Sequence, residues 1–291
     1  MMRNDGKRAG IIQNSAGLLI LLILLALLPA VSAGGEAAEA LSYRVEECSL
    51  ERDGMHLFGE LYLPEGAEGP LPLVILCHGL GSNHEKMVPY AEFFAENDTA
   101  AYVFDFIGGS EVSRSDGKMT EMSVLTEAED LDAVIDYFRG DERFAEGKLF
   151  LFGGSQGGMI CLYTAGKRPG DIAGLVALYP ALNLQDICRQ DTANGVPDTV
   201  QIGNHIVGSV YLKDMLTFDI YEVMKNYTGP VLLMHGTADP MVPVSYSEKA
   251  AEVLSDAELI ILEGAGHGFK GADLERAAND ALRFIRGEKP E

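Results

Sequence analysis

The sequence predicts an α/β fold, a mostly parallel eight-stranded sheet with helices on both faces and an inserted lid. Three observations predict it. Short, wholly apolar, β-rich runs recur beyond residue 70; helical stretches separate most of them; and one long stretch between two strands breaks the rhythm. Strands that lack polar alternation are buried on both faces, as in parallel sheets covered by helices.

The elements follow in chain order. Tyr43–Ser49 and Met55–Leu63 alternate apolar and polar residues around Arg52-Asp53-Gly54, the pattern of a two-stranded antiparallel hairpin. Apolar strands are expected at Leu73–Cys77, Ala101–Phe106, Lys148–Phe152, Gly174–Tyr179, Val231–Met234 and Leu259–Leu262. Helices are expected at Glu85–Glu96, Val124–Phe138, Gln156–Ala165, Ser245–Leu254 and Ala272–Ile285. No strand is legible from about Asn183 to Thr228, where Ile202, Ile206, Val207, Val210, Tyr211, Met215, Leu216 and Phe218 have a partly helical spacing. A long insertion in a compact domain is usually functional, often a lid.

The first 33 residues read differently. Arg3, Lys7 and Arg8 precede the apolar run Leu18–Leu28, and Pro29-Ala30-Val31-Ser32-Ala33 closes it. A basic head, an apolar centre and a small-x-small exit describe a secretory signal peptide cleaved after Ala33. The competing reading, an uncleaved anchor, suffers from Gln13, Asn14 and Ser15, which interrupt a span of about 20 apolar residues. Residues 34–291 are then expected to form one domain with the lid at about 183–228, in a secreted or extracytoplasmic protein. Loss of the leader takes the formal charge from −22 to −24. Such an acidic surface repels nucleic acid and anionic membranes, and beyond that it reads as a solvated surface that favours solubility. Cys48, Cys77, Cys161 and Cys188 are too few and scattered for a disulfide-built fold. No metal-ligand spacing or cofactor motif is present.

Chemistry enters at Gly153-Gly154-Ser155-Gln156-Gly157, a G-x-S-x-G motif between an expected strand and an expected helix. That placement puts the serine on a strained turn with its Oγ above the sheet edge. A serine hydroxyl is a poor nucleophile without an adjacent base. On such sheets the partners follow in the order Ser, acid, His. Of the histidines after Ser155, His205 lies in the insertion and His235 ends a strand. His267 sits in the glycine-flanked loop Gly264–Phe269 after the last strand and is the expected base. For His235 a hydrogen bond that fixes its loop is expected instead. Asp239, shortly after the strand Val231–Met234, is the expected acid. Asp214 and Asp219 are its rivals within the insertion, whereas Asp256 precedes the last strand and Glu263 is nearly adjacent to His267. A tetrahedral oxyanion needs two backbone N–H donors. Gln156 supplies one, and Leu80 in His78-Gly79-Leu80-Gly81 the other.

Together, HGLG, Asp105-Phe106 with Ser115-Asp116-Gly117, GGSQGG, HGTADPMVP and GAGHGF resemble, over about residues 43–286, the α/β-hydrolases of the cinnamoyl (feruloyl) esterase and serine aminopeptidase/lysophospholipase-like groups. The resemblance implies an α/β-hydrolase fold and an insertion that forms part of an acyl pocket. One departure stands out: where family members often read D-F-x-G-H-G-x-S, Ile107-Gly108-Gly109-Ser110-Glu111 lacks the histidine. The expected activity is carboxylic-ester hydrolysis through an acyl-enzyme, on feruloyl, cinnamoyl or short-chain acyl esters, with a small-molecule ester as partner. The alternatives are a serine peptidase, prolyl-oligopeptidase-like or aminopeptidase, and a lysophospholipase or monoacylglycerol lipase.

Overall fold

The computed structural model describes residues 42–67 and 69–289, so the expected leader and its cleavage site lie outside the described residues. The chain opens with β1 (Tyr43–Glu47), β2 (Leu50–Arg52), β3 (Met55–Leu57) and β4 (Gly59–Pro64). Strands and helices then alternate through β5 (Leu71–Cys77), α1 (Val88–Ala95), β6 (Ala100–Phe104), α2 (Val124–Phe138), β7 (Phe144–Gly154), α3 (Gln156–Lys167) and β8 (Gly174–Leu178). The insertion carries α4 (Leu184–Asp191), β9 (Thr199–Ile202), β10 (His205–Gly208), α5 (Ser209–Met215) and α6 (Ile220–Met224). The chain ends with β11 (Val231–Gly236), α7 (Ser245–Val253), β12 (Ala257–Leu262) and α8 (Ala272–Arg286).

Eight strands form the main sheet in the order β1-β4-β6-β5-β7-β8-β11-β12. Pairing is antiparallel from β1 through β4 to β6 and parallel beyond. The strand period of two divides the core. Leu73, Ile75 and Cys77 of β5 join α2 and α3 on one face, while Val74 and Leu76 join α1 and α8 on the other. Each such fully buried aliphatic side chain contributes roughly 1.5–3 kcal/mol. Helix starts are locally encoded as well: Ser123 caps α2 in a reciprocal box with Thr126.

Two expectations need correction. The first hairpin is a single register, with Tyr43 opposite Pro64 and Leu50 opposite Leu57, but it is broken into four short strands. The break falls where other groups take the backbone partners: the Tyr102 hydroxyl donates to Cys48 O, and Phe58 N–H donates to Ser115 Oγ. The insertion, expected to hold no strand, contains the antiparallel pair β9–β10. Its strands are four residues each, too short for a period of two to stand out. The Gly203-Asn204 turn, with Gly203 at φ +59°, is the local signal for that hairpin.

Candidate active site

Ser155 lies between the end of β7 and the start of α3 at φ 56°, ψ −122°, a left-handed-side conformation that costs a non-glycine residue on the order of 1–3 kcal/mol. The surroundings hold it there. Ser155 N–H donates to Leu178 O, and Ala181 N–H donates to Ser155 O. Gly157 is required by approach, since a Cβ there would lie 2.2 Å from Cys77 O. The turn therefore lifts Oγ off the sheet edge into a cavity of about 650 Å³.

His267 Nε2 lies 2.9 Å from Ser155 Oγ, and its Nδ1 lies 2.7 Å from Asp239 Oδ2. Asp239, with only 1 % of its side chain exposed, accepts Met241 N–H and Val242 N–H at its other oxygen. These bonds fix the carboxylate plane, so Nδ1 of His267 carries the proton toward Asp239 and Nε2 is free to accept from the serine. The acid and histidine loops are zipped by Ala238 N–H to Ala265 O and by Gly264 N–H to Thr237 Oγ1. Asp214 and Asp219 are occupied elsewhere: the first accepts the Ser123 hydroxyl, and the second caps α6. His235 is wholly buried, accepting from Ser247 Oγ at Nδ1 and donating from Nε2 to Val242 O. Burial lowers its pKa below the ordinary value, so it is a neutral brace for the Asp239 loop.

On the other side of Ser155 the loop after β5 approaches closely, and a Cβ on Gly79 would lie 3.1 Å from Ser155 Cβ. Leu80 and Gln156 both line the cavity beside the serine. Gln156 N–H is the first of its helix and has no intrahelical acceptor. His78 holds the peptide that joins Gly79 to Leu80. Its Nδ1 donates to Gly79 O and its Nε2 accepts Phe106 N–H, with burial lowering its pKa so that it stays neutral. Gly79 C=O and Leu80 N–H belong to one peptide plane and point oppositely, so fixing the carbonyl also fixes the direction of the N–H. The loop that lacks the family histidine supports this arrangement: Gly81 N–H donates to Gly109 O.

The structure brings three further residues to the site. Gln156 Nε2 donates to Glu127 Oε2, and the Tyr211 hydroxyl donates to Gln156 Oε1, each at 2.6 Å. Burial pushes Glu127 well above the ordinary carboxylate range, despite the opposing hydrogen bond from Gln156. This buried chain ties α2, the start of α3 and the insertion helix α5 together. The third residue, His205, lies at the β9–β10 turn with its ring so close over Gly81 that a Cβ there would clash with it. The insertion thus touches the loop that carries Leu80 and lines the cavity with Leu184, Ile187 and Ile202.

This geometry can be set beside known proteins. Residues 68–217 match the family model described as serine aminopeptidase, S33, and residues 218–290 match that of the TAP-like proteins. The chain belongs to the serine aminopeptidase family of α/β-hydrolases. It is 30% identical over 212 residues to the uncharacterized protein YfhR of Salmonella typhimurium, an alignment that covers 68% of this chain and 65% of that relative's length. It is 25% identical over 276 residues to human monoglyceride lipase, covering 82% of this chain and 89% of that protein. The fold matches that of Est1E from Butyrivibrio proteoclasticus, solved with ferulic acid bound, with a TM-score of 0.77 at 24% identity, covering 83% of this chain and 98% of that one.

Proposed function

We propose that this α/β-hydrolase is a secreted serine carboxylic-ester hydrolase that works through an acyl-enzyme. The observation that carries the reading is the unbroken hydrogen-bonded line Ser155 Oγ–His267 Nε2, His267 Nδ1–Asp239 Oδ2 at the floor of the cavity. In this reading Ser155 Oγ attacks the ester carbonyl as His267 takes its proton. The oxyanion is held by Leu80 N–H and Gln156 N–H, the latter helped by the helix dipole. His267 then protonates the leaving alcohol, and water activated by the same imidazole releases the acid.

The walls support acyl groups of moderate size, hydroxycinnamoyl or short-chain. Tyr90, Tyr179 and Phe269 offer aromatic surface on one side, and the insertion offers Leu184, Ile187 and Ile202 on the other, where it acts as the lid. A peptidase that binds a substrate amine needs carboxylates at its pocket, and no Asp or Glu is among the lining residues.

Ser155→Ala is expected to lower kcat on p-nitrophenyl acetate by on the order of 10⁶ without loss of the folded-state circular dichroism. Retained hydrolysis would sink the assignment. A panel of methyl ferulate and straight-chain esters then ranks the acyl groups, and turnover of aminoacyl-nitroanilides alone would favour a peptidase.

A further inference from the structure

The charge of the cavity is opposite to that of the protein. Asp and Glu number 44 against 22 Lys and Arg, yet none of the lining residues is acidic, whereas Lys86 and Lys270 both line the cavity. The acid of the Ser155–His267–Asp239 line is hidden behind the imidazole and adds no carboxylate to the wall. The ammonium groups of Lys86 and Lys270 pair with no carboxylate and make no hydrogen bond among the described residues, so both charges are available to a bound molecule. The hydroxyl of Ser82, another lining residue, is buried without a hydrogen-bond partner.

The two lysines are each next in the chain to a residue of the same part of the core. Lys86 directly precedes Met87, and Lys270 directly follows Phe269; both neighbours belong to the hydrophobic cluster of α1 and α8. Leu184 and Ile202, from the insertion, belong to the cluster on the opposite face of the sheet. The insertion thus brings Leu184, Ile187 and Ile202 to the lining together with Asn183, Asn204 and His205, and the segments beside Met87 and Phe269 bring two ammonium groups.

We propose that the preferred ester carries an anionic group, a carboxylate or a phosphate, that Lys86 and Lys270 of the cavity lining attract. The proposal rests on the ester-hydrolase reading of Ser155. The net charge of −22 does not oppose it at physiological salt, because screening over roughly 8 Å leaves the nearby ammonium groups to dominate. A lysine is a compact point charge suited to either anion. Ser82 Oγ supplies a hydroxyl donor to the same cavity.

The test uses matched esters that differ in charge. The pair 4-acetoxybenzoate and 4-acetoxybenzamide places the charge on the alcohol side. Mono-4-nitrophenyl adipate and 4-nitrophenyl hexanoate place it on the acyl side, and 4-acetoxyphenyl phosphate tells phosphate from carboxylate. The wild-type protein should favour the charged ester of at least one pair by about tenfold in kcat/KM, the effect of ~1.4 kcal/mol. The double substitution Lys86→Ala/Lys270→Ala should bring that ratio to about unity, and Lys86→Glu/Lys270→Glu should invert it. A wild type that shows no preference for any anion, or a preference the lysine variants leave intact, overturns the proposal. If none of the esters is hydrolysed in a Ser155-dependent way, the ester-hydrolase reading itself has failed.

Discussion

The loops at the strand ends and the insertion between β8 and β11 enclose the same cavity, but they hold their residues by different means. At the strand ends the functional atoms are set by short, mostly backbone hydrogen bonds. Asp239 is gripped by Met241 and Val242 N–H, Gly79 O by His78, and Ser155 by Leu178 O and Ala181 N–H. The insertion buries Tyr211, Leu212 and Met215 and is tethered through side chains. Gln185 bridges Met215 O, Phe218 O and Ile220 N–H; Ser123 reaches Asp214; and Tyr211 reaches Gln156. The groups around Ser155 thus depend on backbone geometry that few substitutions can alter, and the insertion's share of the cavity depends on side chains that substitutions readily change.

Three measurements press on that contrast, and the largest effect belongs to the strand ends. Asp239→Asn keeps the size of the side chain but removes the charge and can present an amide N–H to Nδ1, disfavouring the needed tautomer. It should cost about 10⁴ in kcat on p-nitrophenyl acetate, with the thermal midpoint little changed. A loss below tenfold would remove Asp239 as the acid.

Tyr211→Phe should act on the insertion. It leaves Gln156 Oε1 buried without a donor, a cost of about 1–3 kcal/mol, or several degrees in Tm. KM for bulky esters should rise more than kcat falls. A kcat loss rivalling that of Asp239→Asn would show that the insertion positions the reacting groups, and the contrast would collapse.

The smallest effect concerns the support behind the strand ends. Asp105 accepts His84 Nδ1–H and the backbone N–H groups of His84 and Arg114. Burial alone would lower the pKa of His84, but its hydrogen bond to Asp105 and the charge of that carboxylate outweigh burial and raise it above 6.5. Burial alone would raise the pKa of Asp105, yet the hydrogen bonds from His84 and Arg114 outweigh it and hold it below 3.8. The stabilisation from the protonated imidazole is thus complete below the unfolded value of 6.5 and is lost as pH rises through the folded value. That from the carboxylate is lost only as pH falls below 3.8 toward its folded value. The Tm gap between wild type and His84→Gln should therefore be wider at about pH 5.5 than at about pH 8.5. A gap that widens as pH rises would refute the charged pair.

Much of the site was legible because it obeys local rules. Gly153-Gly154-Ser155-Gln156-Gly157 names a turn that only small flanking residues permit, and a Cβ at Gly157 would indeed meet Cys77 O. Asp239 and His267 were found from their places after β11 and β12, since a parallel sheet puts all its strand ends on one edge. Glu127, Tyr211 and His205 were not found. Glu127 sits mid-face in an amphipathic helix pattern, Tyr211 reads as one more apolar residue, and His205 follows a two-residue turn between strands of four.

The sequence by itself therefore determined the alternation of strands and helices, the strained serine turn, and the chain order of Ser155, Asp239 and His267. Those features follow from period, turn chemistry and chain order, which act within a few residues or across neighbouring strands. Only the tertiary structure decided that an α2 carboxyl meets the insertion through Gln156, that the β9–β10 turn rests on Gly81, and that Lys86 and Lys270 line a cavity with no acid among its lining residues. Those contacts join residues 29 to more than 100 positions apart, and their partners are chosen by how the layers pack rather than by any local preference.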